Sequence, residues 1–288
     1  ICNSYSGFFM SENQLIHSIF PNQISLYLKR EDLLHPIISG NKFRKLRYNL
    51  EEAKNRNQKV LLTFGGAFSN HIVAVAGAGK EYGFETIGII RGEELQDKIN
   101  DNPSLLQAQQ LGMKFVFISR EAYRQKENLD FIENLKTKFG DFYLLPEGGT
   151  NELAIKGCEE ILSRSDSEFT YICSSVGTGG TITGIINSSA NNQNIIGFSS
   201  LKGDFLKNDI AKFANKENWS VNCDYHFGGY GKVTDQLIDF INNFYLEHQI
   251  PLDPIYTGKM IFGILNLIEN NYFPPNSKIL AIHTGGLQ

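Results

Sequence analysis

The stretch FTYICSSVGTGGT (residues 169–181) decides the fold class of this chain. Residues 169–174 are rich in β-branched and aromatic side chains, which is typical of a buried strand. A glycine-rich turn, SSVGTGGT (174–181), follows directly, and a helical pattern begins near Thr181. A strand, a tight turn and a helix in this order form the repeating unit of α/β proteins with parallel sheets.

The same alternation continues in both directions along the chain. Further strands are predicted at 24–29, 60–64, 86–90, 114–118, 142–146, 194–198, 220–227 and 278–283. Helices are predicted at 42–56, 70–82, 103–111, 151–163, 234–248 and 257–270, with another ending near Phe139. Residues 199–219 are polar and show no clear pattern. Because these strands are too many for one small sheet, we predict an α/β fold with two open, mostly parallel sheets.

The composition excludes several classes of protein. Of the 288 residues, 41% are hydrophobic and 20% are charged, as in ordinary globular proteins. The formal net charge of −4 argues against general binding to nucleic acids or to anionic membranes. No apolar run approaches the ~20 residues that cross a bilayer. We therefore expect neither a nucleic acid nor a membrane as a partner.

The four cysteines are scattered along the chain without a C-x-x-C pair: Cys2, Cys158, Cys173 and Cys223. This pattern argues against a disulfide scaffold, and no metal site is predicted. We expect reduced thiols in a cytoplasmic protein, with Cys158 in the core. The first ten residues lack the basic start and the cleavage site of a signal peptide. Because the sequence opens on Ile and Met10 is followed by Ser-Glu-Asn, Met10 is expected to be the natural start, with 1–9 as leader or added sequence.

Glycine-rich or polar turns follow five of the predicted strands: GGAFSNH (65–71), PEGGTN (146–151), SSVGTGGT (174–181), GGYGK (228–232) and HTGG (283–286). Parallel sheets bind ligands at the carboxyl ends of their strands, which is where these turns lie. In SSVGTGGT, unobstructed backbone amides converge on a helix amino end and suit a phosphate. The turn is neither a Walker A motif nor a G-x-G-x-x-G fingerprint. Packing of a helix against the sheet is the alternative explanation.

A lysine at a predicted helix start is the second candidate. Lys42 lies in SGNKFRKL (39–46), where a glycine precedes the helix. The positive field of the helix start favours the neutral amine, which is the form that bonds covalently to carbonyl groups. A solvated surface lysine is the alternative interpretation.

Three other polar side chains stand at predicted helix starts. Ser69 and Asn70 of GGAFSNH supply a hydroxyl and an amide, which suit a carboxylate or a phenolate oxygen. Both residues are also preferred helix caps. Tyr256 of DPIYTGK (253–259) precedes a helix and is otherwise interpreted as a core tyrosine. His71 is interpreted as a structural histidine.

The seven motifs SGNKFRKL, GGAFSNH, PEGGTN, GTGGT, GYG, DPIYTGK and HTGG, in this order, resemble those of fold-type II pyridoxal-phosphate enzymes. More narrowly, the chain resembles the 1-aminocyclopropane-1-carboxylate deaminase and D-cysteine desulfhydrase family. The resemblance spans about residues 24–288. The pair DPIYTGK and HTGG points to this family rather than to tryptophan synthase β or cysteine synthase.

The resemblance implies a role for each matched residue. Lys42 matches the lysine that holds pyridoxal phosphate covalently, and Asn70 matches the asparagine at its phenolic oxygen. Thr284 matches the residue bonded to the pyridine nitrogen. The residues that match the phosphate loop are Gly177, Thr178, Gly179, Gly180 and Thr181.

The resemblance also implies catalytic side chains. Ser69 matches a serine that meets the substrate carboxylate or takes part in proton transfer. Tyr256 matches the tyrosine beside the cofactor ring and the substrate, and Tyr230 matches a second tyrosine facing the substrate. Lys42 completes the implied catalytic set.

A two-domain architecture is a further implication. The resemblance predicts a large cofactor-binding domain at 1–44 plus 151–288 and a small α/β domain at 45–150, with the cofactor in the cleft between them. The family is usually a homodimer, and it acts on small amino acids. We therefore expect a cytoplasmic homodimer with a small amino acid as its substrate.

Two departures from the family pattern concern the substrate. The chain is compressed around 199–227, and Thr257 stands where deaminases of the family carry Glu and desulfhydrases carry Thr. We therefore expect β-elimination from a small amino acid, giving an α-keto acid and ammonia, as in D-cysteine desulfhydrase. The alternatives are 1-aminocyclopropane-1-carboxylate deamination to 2-oxobutanoate, a catalytically silent amino-acid-binding relative, and a nucleotide-binding α/β protein.

Overall fold

Ten strands form two sheets in the part of the chain, residues 10–287, that this computed structural model describes. The predicted leader at 1–9 lies outside the described residues. The strands, in chain order, are β1 (Asn13–Leu15), β2 (Ser25–Lys29), β3 (Val60–Gly65), β4 (Glu85–Arg91), β5 (Lys114–Ile118), β6 (Tyr143–Leu145), β7 (Tyr171–Val176), β8 (Asn194–Ser199), β9 (Trp219–Asn222) and β10 (Lys278–Ile282).

Helices alternate with these strands along the chain. They are α1 (Asn41–Asn55), α2 (Asn70–Tyr82), α3 (Pro103–Gln110), α4 (Arg120–Tyr123), α5 (Leu129–Phe139), α6 (Glu152–Cys158), α7 (Gly180–Ser188), α8 (Leu206–Ala211), α9 (Asp235–His248) and α10 (Thr257–Glu269). The predicted α/β fold with parallel sheets is confirmed.

The chain divides into two compact units, which we name by their continuity in sequence. The continuous unit contains residues 37–157, and the discontinuous unit contains residues 10–36 and 158–287. The domain boundaries expected from the sequence at 44/45 and 150/151 stay a prediction.

The sheet of the continuous unit has the strand order β5-β4-β3-β6, and every neighbouring pair is parallel. Its strands β3 and β4 are buried on both faces, as their apolar runs require, whereas the edge strand β5 is only partly buried. One face packs in a cluster of aromatic and aliphatic side chains that includes Phe64, Ile89 and Leu135. Helix α2 ends at Gly83, whose φ of 77° is the left-handed conformation that closes many helices.

The sheet of the discontinuous unit has the order β1-β2-β10-β7-β8-β9. All its neighbouring pairs are parallel except β1 and β2, which pair antiparallel. Alternate residues of β10 enter different cores, since Ile279 and Ala281 belong to one hydrophobic cluster and Leu280 and Ile282 to the other. Helices therefore cover both faces of this sheet.

Two predicted elements are shorter in the structure. The predicted strand 220–227 ends at Asn222, because the Asn222 side chain accepts a hydrogen bond of 2.8 Å from the Asp224 amide and turns the chain. The predicted helix 151–163 ends at Cys158. There the amide of Ile161 bonds to the Cys158 carbonyl at 3.2 Å in a tight turn. The region 199–219, for which no pattern was found, contains the short helix α8.

The thiols differ in their access to solvent. Cys158 and Cys173 are fully buried, which confirms the core position predicted for Cys158. Burial raises the pKa of the Cys173 thiol far above its usual range. Cys223 is partly exposed, and burial also raises the pKa of its thiol.

Candidate active site

The predicted phosphate loop, residues 177–181, connects the end of β7 to the start of α7. Gly179 is the residue before the helix, and its φ of 81° is a conformation that glycine adopts without strain. Because glycine has no side chain, residue 179 makes no capping hydrogen bond to the first turn of α7, and the amides of a helix start attract an anion. A side chain at Gly177 would meet the Tyr256 ring, since a Cβ there would lie 3.0 Å from its Cε1 atom. The loop therefore has the bare backbone that a phosphate requires.

The structure brings both predicted tyrosines to this loop. Tyr256 packs at Gly177, and its ring contacts that of Tyr230 edge-on, with a centroid separation of 6.2 Å. Tyr230 is 43% exposed, so part of its ring stays accessible. Three of the predicted site residues thus meet at the carboxyl end of β7, where ligands bind in parallel sheets.

Tyr256 is fixed by a buried carboxylate that the sequence analysis did not single out. Asp253 accepts hydrogen bonds from the amides of Ile255, Tyr256 and Thr257, at 2.7–2.9 Å. It also accepts a bond of 2.6 Å from the Thr257 hydroxyl. These four bonds hold the start of α10. The motif DPIYTGK contains a signal for this role, because an aspartate before a helix often accepts hydrogen bonds from the amides two and three residues later.

The Thr257 hydroxyl forms hydrogen bonds with Asp253, in the segment that leads into α10. Its side chain is fully buried, and its hydroxyl donates to Asp253 Oδ2 while it accepts from the Asp253 amide at 2.9 Å. Thr257 was matched to the position that carries Glu in deaminases of the family and Thr in desulfhydrases. Its hydroxyl is committed to Asp253 in this structure.

Asp253→Ala is expected to lower the free energy of unfolding by about 2 kcal/mol, because three amides and one hydroxyl lose a charged acceptor. Urea unfolding followed by circular dichroism measures the change. The matched control is Asp235→Ala, since Asp235 is an exposed aspartate in the first turn of α9. An Asp253→Ala loss no larger than that of the control would contradict the role assigned to the carboxylate.

Thr284 lies directly after β10, beside the end of β7. Its buried hydroxyl is 3.1 Å from the hydroxyl of Ser175. The preceding residue, His283, is fully buried; its Nε2 bonds to the carbonyl of Pro251 at 2.8 Å, and its Nδ1 accepts from the amide of Gly285 at 3.3 Å. The histidine thus links the HTGG turn to the segment that leads into Asp253.

The continuous unit contains the other predicted site residues, beginning with Lys42. Lys42 is the second residue of α1, after Gly40, whose φ of 60° forms the turn before the helix. The Lys42 side chain is half-buried, and its Nζ donates to Asn41 Oδ1 at 3.2 Å. The glycine-led helix start predicted for this lysine is present.

Ser69 and Asn70 begin α2. Ser69 is the cap residue, and its Oγ accepts a hydrogen bond of 3.4 Å from the Ile72 amide. A capping hydroxyl still has its own proton to donate. The half-buried Asn70 side chain makes no hydrogen bond with any residue in 10–287. Its amide is therefore available for a ligand.

His71 has the structural role that the sequence analysis assigned to it. The side chain is buried, and Nε2 is 2.9 Å from the Thr63 hydroxyl, which itself donates to the Leu145 carbonyl at 2.9 Å. Nε2 therefore donates to Thr63. Burial lowers the pKa of His71 well below its usual value, and the charges of Lys42 and Lys45 lower it further.

Lys45 is a buried lysine whose role the sequence did not reveal. Lys45 and its neighbour Arg44 lie in the first turns of α1, and both are buried. Lys45 Nζ donates to the Gly148 carbonyl at 2.9 Å and to the Thr150 hydroxyl at 3.0 Å. Lys45 thus holds the PEGGTN turn against α1. A partner about 100 residues away in the sequence leaves no local signal.

Within residues 10–287, no group of three or more histidine, cysteine, aspartate or glutamate side chains has an arrangement suited to a metal ion. Among the helices in that range, none combines the length and the apolar character that a bilayer crossing needs.

The fold and these residues define a class of protein. In the discontinuous unit, the phosphate loop and the Thr284 hydroxyl suit a phosphate group and a ring nitrogen. In the continuous unit, the helix-start lysine and the Asn70 amide suit an aldehyde and a phenol. Pyridoxal phosphate carries all four groups. A family model described as pyridoxal-phosphate dependent enzyme matches residues 15–285. The chain is therefore a pyridoxal-phosphate-dependent enzyme.

Similar proteins identify the family of this chain within the pyridoxal-phosphate-dependent enzymes. A Pyrococcus horikoshii protein with the provisional name 1-aminocyclopropane-1-carboxylate deaminase is 31% identical, over 91% of this chain and 84% of that protein. The mitochondrial bifunctional D-cysteine desulfhydrase/1-aminocyclopropane-1-carboxylate deaminase of Arabidopsis thaliana is 29% identical, over 93% of this chain and 73% of that protein. A crystal structure of a 1-aminocyclopropane-1-carboxylate deaminase homologue has a TM-score of 0.81 and 26% identity, covering 96% of this chain and 90% of that one. The chain belongs to the 1-aminocyclopropane-1-carboxylate deaminase and D-cysteine desulfhydrase family.

Proposed function

We propose that this enzyme deaminates a small amino acid by β-elimination and releases an α-keto acid and ammonia, with D-cysteine as a preferred type of substrate. The observation that carries the proposal is the packing of Tyr256 at Gly177, the first residue of the phosphate loop, with the Tyr230 ring edge-on against Tyr256. Two phenols beside a cofactor-binding loop suit a substrate whose leaving group needs a hydrogen-bond donor.

In this proposal the residues matched by the family motifs would hold the cofactor. Lys42 would bind pyridoxal phosphate covalently, Asn70 would donate to its phenolic oxygen, and Thr284 would bond to its ring nitrogen. The amides of residues 177–181 would bind the phosphate, supported by the side chains of Thr178 and Thr181. Bound pyridoxal phosphate supplies an electron sink that stabilises negative charge on the α-carbon of an amino acid.

The protein side chains supply the proton transfers. Lys42 Nζ, or a neighbouring hydroxyl, removes the α-proton as a general base. Ser69 Oγ, whose lone pair caps α2, donates a hydrogen bond to the substrate carboxylate and orients the amino acid. In this proposal the Tyr256 hydroxyl donates a proton to the β-leaving group, and Tyr230 faces the substrate and helps to bind it.

We predict that D-cysteine is turned over with a higher specificity constant than 1-aminocyclopropane-1-carboxylate. A neutral hydroxyl such as that of Thr284 stabilises a protonated ring nitrogen less than a carboxylate does. Opening a cyclopropane ring without loss of an α-hydrogen demands more of the electron sink than expelling a thiol. A tenfold preference needs only about 1.4 kcal/mol between the two transition states.

A panel of D- and L-amino acids and 1-aminocyclopropane-1-carboxylate, assayed for ammonia, measures this preference as kcat/KM. The names of the relatives favour deamination of the cyclopropane substrate as the second candidate function. An equal or higher kcat/KM for that substrate would replace the desulfhydrase proposal with the deaminase one. A catalytically silent relative would turn over no member of the panel although it bound the cofactor.

The proposed enzyme is a homodimer in the cytoplasm. The free thiols of Cys173 and Cys223 are compatible with a reducing compartment. The family resemblance supports the dimer. Light scattering of the purified holoenzyme tests it, since a mass near 32.4 kDa would show a monomer.

A further inference from the structure

Lys259 is a buried lysine outside the residues assigned so far. It lies on α10, three residues after Tyr256, and its side chain is only 1% exposed. Its Nζ donates to two backbone carbonyls, those of His226 and Gly229, each at 2.9 Å. Within residues 10–287, no carboxylate lies within ion-pair distance of this ammonium group. Its hydrogen-bonding capacity is therefore directed to one segment of backbone.

That segment is the Tyr230 loop, which we define as residues 226–232. Four of its residues have positive φ angles, including Phe227 at 51° and Gly229 at 118°. The loop contains two successive turns. In the first, the Gly229 amide donates to the His226 carbonyl at 3.0 Å, and in the second the Lys232 amide donates to the Gly229 carbonyl at 3.1 Å.

The two carbonyls that close these turns are the two that Lys259 binds. An ammonium group has three donors and no acceptor, so it can join several carbonyls at one point. It stabilises a backbone whose carbonyl oxygens face inward and would otherwise repel one another. A second link is apolar, because the Phe227 ring contacts the Phe262 ring on the same helix with a centroid separation of 5.0 Å.

The same helix start therefore governs both tyrosines. Tyr256 is set directly by the first turn of α10, through its amide bond to Asp253. Tyr230 belongs to the loop whose backbone carbonyls accept hydrogen bonds from Lys259, which lies in the first turn of the same helix. Burial lowers the pKa of Lys259, while the charge of Asp253 opposes that shift.

We propose that Lys259 is a positioning residue, which fixes the Tyr230 loop so that the Tyr230 ring stays against Tyr256. This inference rests on the proposed function in one respect, since it takes both tyrosines to face the substrate. Lys259 itself does not touch the substrate in this account, because its ammonium group is turned to the loop backbone.

The test uses Lys259→Met in the holoenzyme, because methionine keeps the length and burial of the side chain and removes its donors. Amide hydrogen exchange of Gly229 and Lys232 is expected to become at least about tenfold faster, with exchange in β7 and β10 unchanged. The KM for D-cysteine is expected to rise about tenfold and kcat to change less than twofold, because a displaced Tyr230 weakens substrate binding. Lys259→Arg keeps the charge and the donors and should recover part of both effects.

Lys216→Met is the matched control. Lys216 also donates to a backbone carbonyl, that of Ser189, but it lies between α8 and β9 and has no bond to the Tyr230 loop. Its replacement should leave exchange in residues 226–232 and the KM unchanged. Should Lys259→Met fail to fold, Lys259→Gln, which shortens the side chain, should give the same local acceleration to a smaller degree.

Normal exchange of the Gly229 and Lys232 amides in the Lys259 variants would overturn the inference. Acceleration spread evenly over all elements would also overturn it, because that result indicates a general stabilising role. A parent enzyme without turnover of any amino acid would refute the proposed function alone, since the exchange measurement reports on the loop without a substrate.

Discussion

Lys42→Ala is expected to abolish covalent attachment of pyridoxal phosphate and to lower kcat/KM by about a thousandfold or more. The amine is the group that bonds to the cofactor aldehyde, and the methyl group of alanine has no nucleophile to replace it. Absorbance of the purified protein measures bound cofactor. Borohydride reduction followed by mass spectrometry locates the attachment. Lys42→Arg should fail in the same way, because a guanidinium stays protonated.

The control for this experiment is Lys59→Ala. Lys59 is an exposed lysine just after α1, so its loss should leave the absorbance and the rate unchanged. A Lys42→Ala protein that keeps a borohydride-reducible cofactor would show that another lysine carries pyridoxal phosphate. Lys45 and Lys259 would then be the first to examine, since each is buried.

Gly179→Val should raise the dissociation constant of pyridoxal phosphate at least about tenfold, because a left-handed backbone costs a β-branched residue 1–2 kcal/mol or more. A Cβ at this position would also lie 3.2 Å from Ile210 Cγ1, so the loop must move to accept it. Titration of the apoenzyme with pyridoxal phosphate, followed by absorbance, gives the constant. Thr181→Val should have a smaller effect, because it removes one hydrogen bond among several.

Gly83→Val separates the two contributions of Gly179. Gly83 has a φ of 77°, close to the 81° of Gly179, and a Cβ there would contact nothing within 4 Å. This variant therefore introduces similar backbone strain at the end of α2, away from the phosphate loop. It should lower stability without changing cofactor affinity. Unchanged affinity in Gly179→Val as well would mean that the phosphate binds elsewhere.

The sequence predicted those parts of the fold that local rules control. The strand at β7 and the helix start at α7 follow from an apolar run and a glycine turn, and α2 begins at Ser69 and ends at Gly83 as capping preferences require. The prediction for 220–227 failed because the Asn222 side chain competes with the ladder for a backbone amide. Strand propensity does not include that competition.

The candidate site was predictable to the same extent. Tyr256, Tyr230 and Gly177 were named from motifs, and their packing together is a result of the structure. The hydrogen bond from Lys259 to Gly229 joins residues 30 positions apart, so no local pattern indicates it. The burial of Lys45 and its bond to Gly148 were not predicted for the same reason. Buried lysines that bind backbone carbonyls look like surface charges in a sequence.

The different exposure of the cysteines bears on tolerance of the enzyme to its own product. A desulfhydrase releases sulfide, and species formed from sulfide convert accessible thiolates to persulfides. Cys158 and Cys173 are fully buried, and the raised pKa of Cys173 keeps it as an unreactive thiol. Of the cysteines in residues 10–287, only the partly exposed Cys223 is within reach of such species, and burial raises the pKa of its thiol too. Burial therefore keeps the two core thiols out of reach of persulfide-forming species.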